Sequence, residues 1–407
     1  MQVQLLSALC EINAPSGDEG EMTRFITRVL KENRIDYDTD ILGNVFVELK
    51  GKSKDTIVVV AHMDEVGLIV SGIHDGKIYC APVGGLLLES ALGAQVEVVS
   101  REGRVIQGLL TSVKVAREQR AREKEASQQK AGAKESNENR SRKEKETTTR
   151  EERGHTRERE SDVIHQLYID TGESDKELER MGIDVGTRVQ FITKTRLKED
   201  MILAKALDNR IGCFVLLEVI GSLIQLRHRH SPSKHGKHPF KKSLLFVFST
   251  QEEVMLRSGL NRVADWPVQE IVCIDMVPVS NNVSDGDMPA GSHLSDVDAE
   301  SQGDHNRLNV GGGPVVVLLD GSGFKSKSLV DQVLRVAQTL DIPLQYDLSV
   351  EGETDDSRIA PTLPDPVPTL ILSVAVGDMH TPVNRASLED ISDLAILLLQ
   401  YLHTKID

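Results

Sequence analysis

The feature that most narrows the fold is a set of short, continuously apolar runs, each giving out at an acid or a histidine. Residues 56–61 run into His62, residues 244–248 towards Glu252 and Glu253, and residues 271–274 into Asp275, while 368–376 is followed within four residues by His380. Runs without polar alternation describe strands buried on both faces, as parallel sheets require. In open α/β sheets, ligands gather outside the carboxyl ends of such strands. One histidine after a strand says little, but the same rule obeyed four times describes a site. Asp208 joins the set from the other direction, because it opens an apolar helical stretch.

The chain has 407 residues, enough for two domains and a large core. Aromatic residues make up only 3%, so Val, Leu and Ile must fill the interior. A net charge of −15 argues against a nucleic-acid surface. Cys10, Cys80, Cys213 and Cys273 form no CxxC, and Cys213 and Cys273 lie in apolar runs and read as buried thiols. The first residues lack a basic region followed by an apolar core, so no signal peptide is expected. No run approaches the ~18 apolar residues of a membrane span. The expected compartment is the cytoplasm.

Val3 to Ile12 reads as a short helix broken at Pro15 and Gly17, with Asp18 as the candidate cap of a second helix. From about residue 70 the texture changes to short strands separated by glycine, at 77–81, 95–99, 104–110 and 188–193, the pattern of a small all-β module. From about Asp200 the α/β texture returns. The expected fold is therefore α/β, a mixed, mainly parallel sheet flanked by helices with an inserted β-rich second domain. Its boundaries are 1–69 and 195–407 for the catalytic α/β domain and 70–194 for the insertion. Residues 116–160 hold 25 charged residues among 45 and no large apolar side chain, so they read as a disordered charged insertion. Two further surface loops are expected: 227–242, with His228, His230, His235 and His238 at no zinc-motif spacing, and the acidic stretch 284–307.

His62 and Asp64 lie two apart at a strand end and point to the same side. A metal-bound imidazole usually donates its other N–H to a carboxylate, a role open to Asp64, although a polar strand end is the commoner meaning of His-x-Asp. Asp208 is placed either to cap its helix or to bridge two cations. Two adjacent acids at the mouth of a buried strand repel each other unless positive charge sits nearby. A division of labour for Glu252 and Glu253 resolves this: one binds metal, and the other moves a proton from water to a leaving amine. With Asp275 and His380 the set offers nitrogen and oxygen donors without a thiolate, which suits zinc, cobalt or manganese.

The segments AHMDEVG, ALDNRIGC, QEEV, GGGP, TDD and MHTPVN, in that order, resemble the dinuclear-metal aminopeptidases of the tetrahedral type, which include glutamyl and deblocking aminopeptidases. Residues 167–191 resemble that family's exit from its second domain. The resemblance covers about residues 1–115 and 160–407. It implies that His62 and Asp275 hold one metal, Glu253 and His380 the other, and that Asp208 bridges. It makes Glu252 the general base and Asp64 the residue that orients His62. It further implies hydrolysis of N-terminal residues from short peptides by a metal-activated hydroxide, and a homo-oligomer, a dodecamer built from dimers. Met255 departs from the family, which commonly has glycine there. Two alternatives share part of this pattern. Co-catalytic-metal deacylases and carboxypeptidases use similar ligands but insert their second domain after the fourth ligand, whereas the large gap here lies between His62 and Asp208. A non-catalytic interaction protein could keep the fold, but it would not need Glu252 and every ligand intact.

Overall fold

A computed structural model describes residues 2–116, 163–230, 240–254, 260–279, 308–349 and 352–406. Nearly all of the charged insertion expected at 116–160, the centre of the histidine-rich loop, Met255 and all of the acidic stretch 284–307 lie outside these residues.

Four parallel strands form the centre of a nine-stranded sheet, in the order Ser243–Ser249, Thr56–His62, Val268–Ile274 and Thr369–Ser373. Antiparallel partners flank them: Val45–Leu49 on one side and Val315–Asp320 on the other. The expected mixed, mainly parallel sheet is found. Every residue of Thr56–His62 and of Ser243–Ser249 is buried. Alternate side chains serve opposite faces: Ile57, Val59 and Ala61 join the larger core, while Val58 and Val60 join the smaller one. That two-sided burial is why these strings carry no polar alternation. Each large side chain so buried contributes about 1.5–3 kcal/mol.

Helices Val3–Glu11, Gly20–Glu32, Leu207–His230, Lys327–Leu340 and Leu388–Ile406 cover the larger core. The helix after Asp208 is enclosed on almost every side, from Ile211 through Leu217, as its apolar sequence requires. Asp18 does not cap the second helix, which starts two residues later at Gly20 after a Glu19 that makes no side-chain cap bond. Among the described residues, no helix is long and apolar enough to cross a membrane.

Between His62 and the strand Met201–Ala204 the chain forms a closed six-stranded barrel. Its order is Gly67–His74, Lys77–Val83, Val163–Asp170, Val105–Ala116, Gln95–Val99 and Arg188–Phe191, with the last pairing back to the first. Its interior is a separate core that includes Leu68, Val96, Leu110 and Ile169. Arg196–Lys198 and Met201–Ala204, which follow the barrel in the chain, and Asn384–Ser387, which follows the last strand of the main sheet, add a small antiparallel sheet.

Candidate metal centre

All seven residues singled out from the sequence come together where the central strands end. Ser249 pairs with His62 in parallel register, so the turn carrying Glu252 and Glu253 leaves its strand at the level of His62. Asp275 follows directly on Ile274 in the next strand. His62 Nε2 lies 3.1 Å from Asp208 Oδ1, 3.5 Å from Asp275 Oδ1 and 3.9 Å from Glu252 Oε2. On the far side of Asp208, His380 Nε2 lies 3.2 Å from Asp208 Oδ2 and 3.3 Å from Glu253 Oε2. Two candidate metal-binding groups result, His62–Asp208–Asp275 and Asp208–Glu253–His380, and they share Asp208.

The backbone explains how Asp208 is available. Asp208 and Asn209 have non-helical dihedrals at the start of the helix Leu207–His230, and Asn209 Oδ1 accepts the N–H of Gly212 at 2.9 Å. Asn209 therefore does the work of a helix cap, and the Asp208 carboxylate faces the two imidazoles. Ala206, Gln251 and His380 adopt left-handed φ values of 55°, 59° and 59°. Such conformations cost of order 1–3 kcal/mol each outside glycine and persist only where the surroundings impose them.

Burial opposes every charge here, and the neighbours decide which survive. Burial pushes His62 down, but the neighbouring carboxylates of Asp208, Asp275 and Asp64 hold it well above its ordinary value. Burial also depresses His380, yet Glu253 and Asp208 lift it to about 9. Burial raises Glu253 to about 8 and Asp275 to about 6, more than their histidines lower them. Asp208 is raised by burial too, but the two imidazoles outweigh that and keep it well below the usual carboxylate range. Among the described residues, Glu253 Oε1 is buried without a hydrogen-bond partner. So many buried acids call for cationic partners beyond two histidines. The donor set fits divalent metal ions. Cys213 stays out of it: its thiol donates to the His62 carbonyl at 3.1 Å, and burial pushes it up to about 12.

Comparison with known proteins places the chain in a family. The profile of the M42 glutamyl aminopeptidases matches residues 43–146 and 141–397. The chain belongs to this family. The lysyl aminopeptidase of Pyrococcus furiosus is 25% identical over 410 residues, covering 98% of this chain and 97% of its own length. The glutamyl aminopeptidase of Lactococcus lactis is 25% identical over 289 residues, covering 69% of this chain and 68% of its own. Aminopeptidase APDkam598 of Desulfurococcus kamchatkensis shares the fold with a TM-score of 0.72 at 24% identity, over 99% of this chain and 95% of that one. The TET1 peptidase of Pyrococcus horikoshii, described as able to assemble into a tetrahedron or a large octahedral shell, gives 0.69 at 25% identity over 99% of both chains.

Several residues of this M42 aminopeptidase escaped the sequence reading. Ser16, from the turn after the first helix, donates to Asp64 Oδ2 at 2.5 Å. Gly85 of the barrel brings its carbonyl to 3.2 Å from His380 Nδ1, and a Cβ at this glycine would sit 2.8 Å from that nitrogen. Arg358 reaches Glu252 Oε1 at 2.8 Å. None of the three carried a sequence signal: Arg358 lies one helical turn after Asp355 in the TDD segment, a spacing that reads as an ordinary helical ion pair. Glu65, beside the site, is bound by Lys205 at 2.6 Å and Arg210 at 3.2 Å, and this buried group joins the segments that carry Asp64 and Asp208.

Proposed function

We propose that the chain removes N-terminal residues from short peptides, with two divalent metal ions per chain held between its two histidines. One observation carries the reading: the single carboxylate of Asp208 offers one oxygen to His62 at 3.1 Å and the other to His380 at 3.2 Å. A ligand shared by two ions needs that disposition. His62 and Asp275 would hold one ion, Glu253 and His380 the other. Bound there, zinc in the first instance, or cobalt or manganese, supplies Lewis acidity that polarises a scissile carbonyl and makes nearby water acidic.

Glu252 stands beside the ligands but in neither candidate group. Its carboxylate accepts the proton of the attacking water and returns it to the departing amine. Asp64 Oδ1 faces His62 Nδ1 at 3.4 Å, which leaves Nε2 as the nitrogen turned towards the centre. Residues 1–69 and 195–407 form the catalytic unit, and 70–194 form the lid or dimerisation unit. The closed barrel supports an inserted unit, although its first strand, Gly67–His74, begins ahead of the boundary at 70. Val105, Leu109 and Val113 stand out at every fourth position on one face of a barrel strand, at 50%, 50% and 42% exposure. Such an apolar row, together with the assembling TET1 relative, supports a homo-oligomer, a dodecamer built from dimers.

The test is a panel of aminoacyl chromogenic substrates, each with a free or an acetylated amine, assayed with zinc, cobalt and manganese. Turnover of the free-amine set alone, dependent on added metal, is the expected result. Preference for the acetylated set, or no turnover with any metal, contradicts the reading.

A further inference from the structure

Because Glu252 belongs to neither metal group, something else must set where its carboxylate points. We propose that Arg358 is the positioning residue for Glu252, an inference that rests on the reading of Glu252 as the proton acceptor. Arg358 lies on the short helix Asp355–Ile359. One guanidinium nitrogen donates to the backbone carbonyl of Glu252 and forms an ion pair with its Oε1 at 2.8 Å, an oxygen that has no hydrogen-bond partner among the described residues. A glutamate gripped at both its carboxylate and its own carbonyl loses most of its freedom about three side-chain bonds.

The grip is itself anchored. The other terminal nitrogen of Arg358 lies 3.3 Å from Asp355 Oδ1, and Asp355 accepts the hydroxyl of Ser249. Ser249 ends the strand from which the Glu252 turn departs, so Ser249, Asp355, Arg358 and Glu252 close a ring around that turn. Behind the ring, Asp356 is held at 2.8 Å by Lys325, which Asp320 also holds at 2.8 Å. The guanidinium fork thus arrives from a helix pinned by two buried anchors. A lysine could supply the charge but could not form the same two-pronged contact. Asp355 and Glu252 already take both terminal nitrogens of Arg358, whose side chain is 14% exposed. That argues for holding a protein group rather than a substrate carboxylate.

The experiment compares Arg358→Met, Arg358→Lys, Glu252→Gln and the double variant Glu252→Gln/Arg358→Met, all metal-loaded. It uses an aminoacyl chromogenic substrate without a carboxylate and records kcat, KM, metal content after dialysis and Tm. Arg358→Met should lower kcat by roughly 10- to 100-fold, as misplacing a reacting group does, with KM and metal content held. Arg358→Lys should recover part of the loss. In the Glu252→Gln background the same change should lower kcat by less than about twofold, because the residue it positions has lost its function. The proposal is overturned if Arg358→Met turns over like the parent, if KM rises in place of the fall in kcat, or if the loss is equal in both backgrounds. It is overturned as well if both Arg358→Met and Arg358→Lys shed metal. A fully active Glu252→Gln would instead sink the reading of Glu252, which separates the two failures.

Discussion

The carboxylate of Asp64 accepts the backbone N–H of Glu252 at 2.9 Å and, through its other oxygen, that of Glu253 at 3.0 Å, across nearly half the chain. With Ser16 it has three donors, the number that lets a fully buried carboxylate stay charged. Asp64 therefore holds the turn that carries both glutamates while it faces His62. Asp64→Asn keeps the shape but sets an amide donor against one of those donors. It should cost about 2–4 kcal/mol of stability and lower kcat with it. Urea unfolding with parallel kinetics checks this, and parental stability would show that the three contacts do not hold the turn.

Gly85 sets the approach of the barrel to His380. In Gly85→Ala the new Cβ would lie 2.8 Å from Nδ1 and 3.1 Å from Cε1 of the imidazole, so the ring must move. Expected is a fall of roughly tenfold or more in kcat, with one metal bound more weakly. Calorimetric metal titration of the variant reads this, and two unaltered affinities would mean that the ring has room to yield.

Glu19 gives the stability a pH dependence of known sign. Burial first, and Asp64 second among the raising influences, push its carboxyl up to about 7 from 4.5. The folded chain thus holds this proton more tightly than the unfolded one. The stabilisation is full below about pH 4.5 and is lost as pH rises through about 7. Glu19→Gln keeps an acceptor for the N–H groups of Gly17 and Gln251 and has no such dependence. The variant should gain on the parent by of order 2 kcal/mol between about pH 5 and about pH 8. Equal slopes in urea unfolding would mean that Glu19 titrates as in the unfolded chain.

The strand ends were legible because a strand buried on both faces has no polar residue until it reaches the site, which makes His62 and Asp275 stand out. Asp208 was half legible. Asp and Asn are equally good caps, and only the backbone turn reveals that Asn209 takes that role. Arg358 could not be read from its neighbours. An Asp and an Arg one helical turn apart look like an ordinary surface pair, and the helix gains meaning only by packing across the Glu252 turn. Ser16 and Gly85 were hidden for the same reason: their partners, Asp64 and His380, are 48 and 295 residues away.

Glu252→Gln removes the proton acceptor while keeping the shape. It should lower kcat by ~10²-fold or more and leave the metal content near that of the parent. Single-turnover kinetics with elemental analysis checks both. Activity close to the parent's would move the role to another group.

The most direct test of the shared carboxylate is elemental analysis after dialysis of the parent, His380→Ala and Asp208→Ala. The parent should hold about two ions per chain, as a two-metal centre requires. His380→Ala should lose mainly one of them, and Asp208→Ala should be depleted at both positions. Full occupancy in Asp208→Ala would contradict the account, because Asp208 would then not be the ligand that joins the two halves of the site.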